Sequence, residues 1–182
     1  LVTLIACAVS IPSVMANHVG SPNTGTVHFK GEVFKNSCKI ENKGKVEVTL
    51  SPILNTKINT ATAEQKQEFK INVTECHIDE NWVPKLSWER NSKFTSTSEG
   101  YLRNTLIGGS NAALVLQDNK GATINLRNPT DRYLPLSLNN NRGSQVLEYA
   151  FQVGYIRSTD TPSDITAGAI KAQATFSITY DL

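Results

Sequence analysis

Apolar and polar residues alternate along much of this chain. Val27, Phe29, Gly31 and Val33 share one phase, with His28, Lys30 and Glu32 in the other. Val46, Val48 and Leu50 alternate with Glu47 and Thr49, and Phe69, Ile71 and Val73 with Lys70, Asn72 and Thr74. Leu86 and Trp88 alternate with Lys85, Ser87 and Glu89. Leu114-Val115-Leu116 is a short continuous apolar run, followed by Ile124 and Leu126. Leu134, Leu136 and Leu138 share a face, and Tyr149, Phe151, Val153 and Tyr155 form one more alternating stretch. A strand sends successive side chains to opposite faces, so each stretch predicts a half-buried β-strand. Turn chemistry separates them: Asn42-Lys43-Gly44, Gly108-Gly109-Ser110, Asp118 to Gly121, Asn139 to Gly143, and Thr161 to Asp164. Only Thr62 to Glu68 reads as a short helix or polar turn. Strands at this spacing predict an all-β antiparallel sandwich.

The last stretch is the cleanest. Ala172, Ala174, Phe176, Ile178, Tyr180 and Leu182 lie on one face, Lys171, Gln173, Thr175, Ser177, Thr179 and Asp181 on the other. No later strand follows to pair with it, and an uncovered apolar strand is an aggregation liability. The pattern predicts that an earlier strand or another polypeptide covers it. At the other end, residues 17–26 are polar and rich in Asn and Gly, with little reason to fold alone. An unfolded arm and an uncovered strand together suggest strand exchange between subunits.

Residues 1–16, LVTLIACAVSIPSVMA, carry no charge. The run is too short to span a bilayer comfortably and closes on Val14-Met15-Ala16, a signal-peptidase pattern. It reads as a secretory signal cut after Ala16 and truncated at its start. A buried apolar strand, or a lipoprotein box at Leu4-Ile5-Ala6-Cys7, are the other readings of this segment. Of three cysteines, Cys38 and Cys76 then remain, and an even pair in an exported chain reads as one disulfide.

Composition removes several classes. The chain has 182 residues and a net charge of +2, too weak a balance for a nucleic-acid footprint. His18, His28 and His77 have no metal-ligand spacing. There is no Ser elbow, phosphate-binding Gly loop or Cys–His pair, so the chain is expected to be no enzyme and to need no cofactor or metal. Asn72-Val73-Thr74 fits a glycosylation acceptor but lies within a predicted strand. Trp82 and Trp88 suggest either a sugar platform or core, and the alternation favours core for Trp88.

Residues 25–33 (GTVHFKGEV), followed by Ser37-Cys38, resemble the start of type 1 fimbrial major subunits of the chaperone–usher class. Gly168 to Tyr180, with Ala174-Thr175-Phe176 inside, is similar to that family's C-terminal signature, in which a Gly precedes a near-terminal Tyr by twelve residues. The family Tyr is usually penultimate, whereas Asp181 and Leu182 both follow Tyr180 here. Cys38 and Cys76 sit where the family's disulfide would be.

The resemblance implies an incomplete immunoglobulin-like β-sandwich lacking its last strand. It implies a periplasmic chaperone that lends a strand, an outer-membrane usher, and exchange for the N-terminal arm of the next pilin in a surface fimbrium. Residues 17–29 would be the arm and 30–182 the pilin domain. Val19, Ser21, Asn23, Gly25, Val27 and Phe29 would form the donor face, with Gly25 at a shallow pocket. Gly168, Ala174, Phe176, Ile178, Tyr180 and Leu182 would form the acceptor groove and chaperone-binding edge, the Leu182 carboxylate held by basic chaperone residues. The expected role is a structural shaft subunit. A minor or adaptor pilin, or a free-standing sugar-binding sandwich, are the alternatives, and a two-domain tip adhesin is disfavoured for want of a lectin domain.

Overall fold

The computed structural model describes residues 26–31, 38–78, 83–90, 96–141, 144–162 and 164–180, with side chains 138–145 excepted. The chain divides into two units, Leu1–Val33 and Phe34–Leu182. Of the first, residues 26–31 are described; they form no strand, in contrast to the alternation there, and Val27 and Phe29 are exposed. Every strand below belongs to the second unit.

The described residues form the strands β1 (Lys39–Ile40), β2 (Glu64–Thr74), β3 (Lys85–Trp88), β4 (Leu102–Arg103), β5 (Ala113–Asp118), β6 (Ser137–Asn141), β7 (Ser144–Ile156) and β8 (Phe176–Thr179). They form two sheets, and every pairing is antiparallel. The larger runs β1-β2-β7-β5-β4, with β6 also on β7. β7 is long enough for one edge to pair with β2 while the other is shared. β6 takes residues 144–148 and β5 takes 151–156. The smaller sheet is β3-β8, extended past β3 by a bridge between Leu86 and Tyr133.

Alternation decides which faces meet. Ile71 and Val73 of β2, Leu147, Tyr149, Phe151 and Val153 of β7, and Leu114 and Leu116 of β5 are buried together with Leu86 and Trp88 of β3. Phe176 and Ile178 of β8 pack against the same core. Two sheets sharing one apolar interior make a sandwich. Trp88 sits at its centre, its ring edge-on to Phe151 at 5.1 Å and to Phe176 at 5.7 Å. Burying each such side chain stabilises the fold by about 2–3 kcal/mol. The Tyr149 hydroxyl donates to Pro84 O at 2.6 Å, joining the large sheet to the approach of β3.

The continuous apolar run of β5 has a separate cause. Leu114 and Leu116 face the core, while Ala113 and Val115 on the opposite face pack with Ala63 and Ile156 under Tyr101. Here the start of β2 bulges, with Gln65 at φ 49°, and crosses over Gly154 of β7. A Cβ on Gly154 would lie 2.9 Å from Glu64 O and 3.1 Å from Ala63 Cβ, so this crossing needs a glycine.

Several sequence expectations are corrected. Thr62 to Glu68 is no helix, because β2 begins at Glu64. Asn139 to Asn141 belong to β6 instead of a turn. Leu134 and Leu136 do not share a buried face; they are 58% and 54% exposed. Ile124 and Leu126 are buried but lie in a loop, held by Ile124 N–H to Leu116 O and Leu126 N–H to Gly100 O. Among the described residues no helix is long and apolar enough to cross a membrane.

Candidate functional site

Two half-buried alternating segments, each with an edge that meets no strand among the described residues, lie on either side of one groove. The first follows a left-handed turn at Glu41–Gly44, where Asn42 and Lys43 have φ 52° and 57°. From there residues 46–53 run between extended backbone at Lys45 and at Leu54. Val48 and Leu50 turn inward and pack on the core, while Lys45 and Glu47 point outward as an ion pair at 2.7 Å. Among the described residues, no backbone hydrogen bond joins 46–53 to any other segment. The alternation of Val46 to Leu50 therefore predicts the conformation and the buried face but not a sheet partner.

The second segment is 169–179, of which only Phe176–Thr179 is laddered, shorter than its alternation predicts. Its backbone is satisfied on one side. Ser110 N–H donates to Ala169 O (3.1 Å), Thr105 N–H to Lys171 O (2.8 Å) and Glu89 N–H to Thr175 O (2.8 Å), and β3 pairs with 176–179. Both ladder bonds of Leu86 go to Tyr133, so its pair with Ile178 is not a hydrogen-bonded one. Odd-numbered residues of the segment thus direct their peptide groups toward β3 and the 104–110 loop, and the alternation of an antiparallel ladder sends the even-numbered ones to the opposite edge. There, among the described residues, the peptide groups of Ala172, Ala174 and Phe176 meet no strand. Their side chains point the other way from those of Lys171, Gln173 and Thr175. Ala172, Ala174 and Phe176 are half-buried against the core, and the odd-numbered three are exposed.

At one end the two segments enclose a cavity of about 310 Å³. Leu50 and Ile53 form one wall, Ile165 and Ile170 the other, with Ala112 and Tyr155 between them. Near the far end of the segment Tyr180 is fastened: its hydroxyl donates to His77 O at 2.7 Å and lies 3.5 Å from Cys38 Sγ. Burial pushes that hydroxyl's pKa up. Cys38 and Cys76 form a disulfide with a Cα–Cα distance of 4.2 Å, joining the entry of β1 to the exit of β2.

The residues named from sequence fall as follows. Ala174, Phe176, Ile178 and Tyr180 come together on one half-buried face. Gly168 lies at the cavity with φ 150°. Val27 and Phe29 are exposed, and Val19, Ser21, Asn23, Gly25 and Leu182 lie outside the described residues. Leu50 and Ile170 line the groove and are not named as such from sequence, though the alternation of Val46 to Leu50 carries the signal for Leu50. Trp88 is 5% exposed and serves the core, which removes it as a sugar platform. Trp82 lies outside the described residues. Asn72 donates to Glu41 at 2.9 Å from a half-buried position, unsuited to glycosylation. Among the described residues no group of His, Cys, Asp or Glu is arranged to hold a metal.

Among the described residues, the sandwich thus leaves the peptide groups of Ala172, Ala174 and Phe176 without a strand beside an apolar groove. The chain belongs to the fimbrial protein family, whose sequence profile matches residues 27–181. It is 25% identical over 188 residues to the uncharacterized fimbrial-like protein YbgD of Escherichia coli (strain K12), covering 98% of this chain and 96% of that one. Among solved structures it is similar to a chaperone–usher pilus subunit, in a study of how the rod uncoils. That match has a TM-score of 0.55 at 19% identity and covers 96% of this chain and 100% of that one. It is also similar to the P pilus rod subunit PapA, with TM-score 0.55 and 19% identity over 79% of this chain and 99% of that one. The fold is thus the incomplete immunoglobulin-like sandwich of chaperone–usher pilins. The chain is a pilus subunit, a component of surface fimbriae in a family of structural proteins, not of enzymes.

Proposed function

We propose that this chain builds a fibre by donor-strand exchange, residues 17–29 of one copy adding a strand to the open edge of the next. The observation that carries the reading is the row of peptide groups at Ala172, Ala174 and Phe176, which among the described residues has no strand partner and faces a groove whose other wall, 46–53, has none among them either. Such an edge recruits an extended segment through main-chain hydrogen bonds, with alternate side chains entering the groove. Val19, Val27 and Phe29 are the apolar residues of the arm in the right phase, and the described two, Val27 and Phe29, are exposed. Contact between an arm on one copy and an edge on another is head-to-tail and does not close, so it propagates as a fibre.

The same edge needs protection before assembly. In this reading a periplasmic chaperone caps it with one of its own strands, and an outer-membrane usher is where the next subunit's arm replaces the chaperone. Residues 1–16 act as a secretory signal, and the subunit reaches the surface fimbrium through the periplasm. The likeness to chaperone–usher pilus subunits supports this route. The shaft role is the reading preferred over an adaptor.

Deleting 17–29 tests the assignment. The shortened chain is expected to accept an added arm peptide yet form no ladder of oligomers on size-exclusion chromatography, whereas the chain retaining its arm does. A deletion that still polymerises would show that the arm lies elsewhere.

A further inference from the structure

Among the described residues the wall segment around Ile170 has no strand on either side, yet it is held by hydrogen bonds on its loop side. We propose that Asn104 is the positioning residue that holds it, its side-chain carboxamide standing in for a missing strand so that the opposite edge is presented to an incoming arm. The inference rests on the donor-strand reading above.

Asn104 makes four hydrogen bonds. Its Nδ2 donates to Ala169 O at 2.8 Å and to Ser110 O at 2.8 Å. Its Oδ1 accepts from Lys171 N–H at 2.9 Å and from Leu106 N–H at 3.0 Å. A carboxamide carries the donor and acceptor of a peptide group. Toward the wall it donates to the carbonyl before Ile170 and accepts from the amide after it, as a peptide group of a neighbouring strand would. Toward its own loop it ties both ends of 106–110. The bond to Lys171 N–H is the only one to that amide among the described residues.

The loop is shaped to bring the carboxamide this close. A Cβ on Gly109 would lie 2.4 Å from Ala169 O and 2.4 Å from Asn104 Nδ2. A Cβ on Gly168 would lie 2.8 Å from Ser110 N, with φ at 150°. Bare backbone therefore crosses bare backbone, and Asn104 bridges the crossing. Thr105 adds a second link, its N–H and hydroxyl both donating to Lys171 O, at 2.8 and 3.0 Å.

The consequence follows from the edges. With Ala169 and Lys171 satisfied on the loop side, Ile170 and Ala172 are left to direct their peptide groups to the groove, and the Ile170 side chain lines the cavity. Without the carboxamide, Lys171 N–H loses its partner and Ala169 O keeps only the bond from Ser110. The wall would then have to be ordered at the moment of binding, which weakens affinity.

The test uses the full chain and a fluorescein-labelled peptide of residues 17–30, with binding read by anisotropy and exchange of the Lys171 amide read by hydrogen–deuterium exchange. Asn104→Ala is expected to weaken binding about tenfold, as loss of such hydrogen bonds does, and to speed that exchange. Tyr149→Phe, which removes the buried hydrogen bond to Pro84 O and none of the bonds that hold Ala169 and Lys171, controls for stability and is expected to bind like the parent. If Asn104→Ala binds like the parent, or loses no more affinity than Tyr149→Phe, the assignment to Asn104 is overturned and the donor-strand reading stands. If the parent does not bind the peptide, the donor-strand reading fails first. Should Asn104→Ala not fold, Asn104→Asp carries the test. It keeps both accepted bonds and loses both donated ones, and parental binding by it would overturn the proposal.

Discussion

At the scale of single residues, the tightest polar cluster is a brace between two loops. Glu99 accepts from the Ser158 hydroxyl at 2.7 Å and from Thr159 N–H at 2.7 Å. Asp160 accepts from Ser98 N–H at 2.7 Å and from Arg103 at 2.8 Å. Desolvation opposes the charge on Glu99, but the hydrogen bonds from Thr159, Ser158 and Thr97 outweigh it and hold the carboxyl well below its ordinary value of 4.5. The Ser98 hydroxyl, then its N–H, holds Asp160 low as well, with Arg103 adding to it. Because both folded values are depressed, the brace stabilises the fold above the unfolded-state pKa and loses that contribution as pH falls through the folded values. Thermal melts should therefore show the gap between the parent and Glu99→Gln narrowing steadily below about pH 4. A gap that stayed constant down to about pH 2 would mean the charge is not what the brace uses. None of this was legible in the sequence. Glu99 and Asp160 read as two scattered acids among many, because nothing local brings residues so far apart along the chain around one Ser98. Asn104 was equally silent, since an Asn ahead of a Gly-Gly turn reads as loop chemistry.

At the scale of elements, period-two spacing located β2, β3, β7 and β8, and the apolar run located β5. It failed where burial and pairing separate. Val46 to Leu50 alternates and buries one face, yet no strand pairs with it among the described residues. Leu134 and Leu136 alternate and stay exposed. Ile124 and Leu126 are buried by loop hydrogen bonds without forming a strand. The polar start of β2 was hidden for a further reason: Glu64 to Glu68 carries no apolar face, and its position is set by the crossing over Gly154. That crossing makes a prediction. Gly154→Ala would press a methyl into Glu64 O and Ala63 Cβ, and should destabilise the chain by about 1–3 kcal/mol in urea unfolding. Unchanged stability would mean that the bulge yields freely and that Ala63, Val115 and Ile156 are not a tight cluster.

At the scale of the whole molecule, the two sheets share one core and the disulfide closes β1 onto β2, but among the described residues no strand covers the edge at Ala172, Ala174 and Phe176. The final alternating stretch made this legible in outline: it predicted an apolar strand needing cover. It could not reveal that the groove has a second wall at 46–53, unladdered among the described residues, because a strand's own pattern does not say what lies beside it. The central claim is that this gap is filled by another copy's arm. The most direct measurement is the size and thermal stability of the chain with and without a synthetic peptide of residues 17–30. A self-associating chain of low stability that becomes a stable monomer with the peptide is the predicted result. A chain that is already a stable monomer, with a melting temperature indifferent to the peptide, would contradict the account.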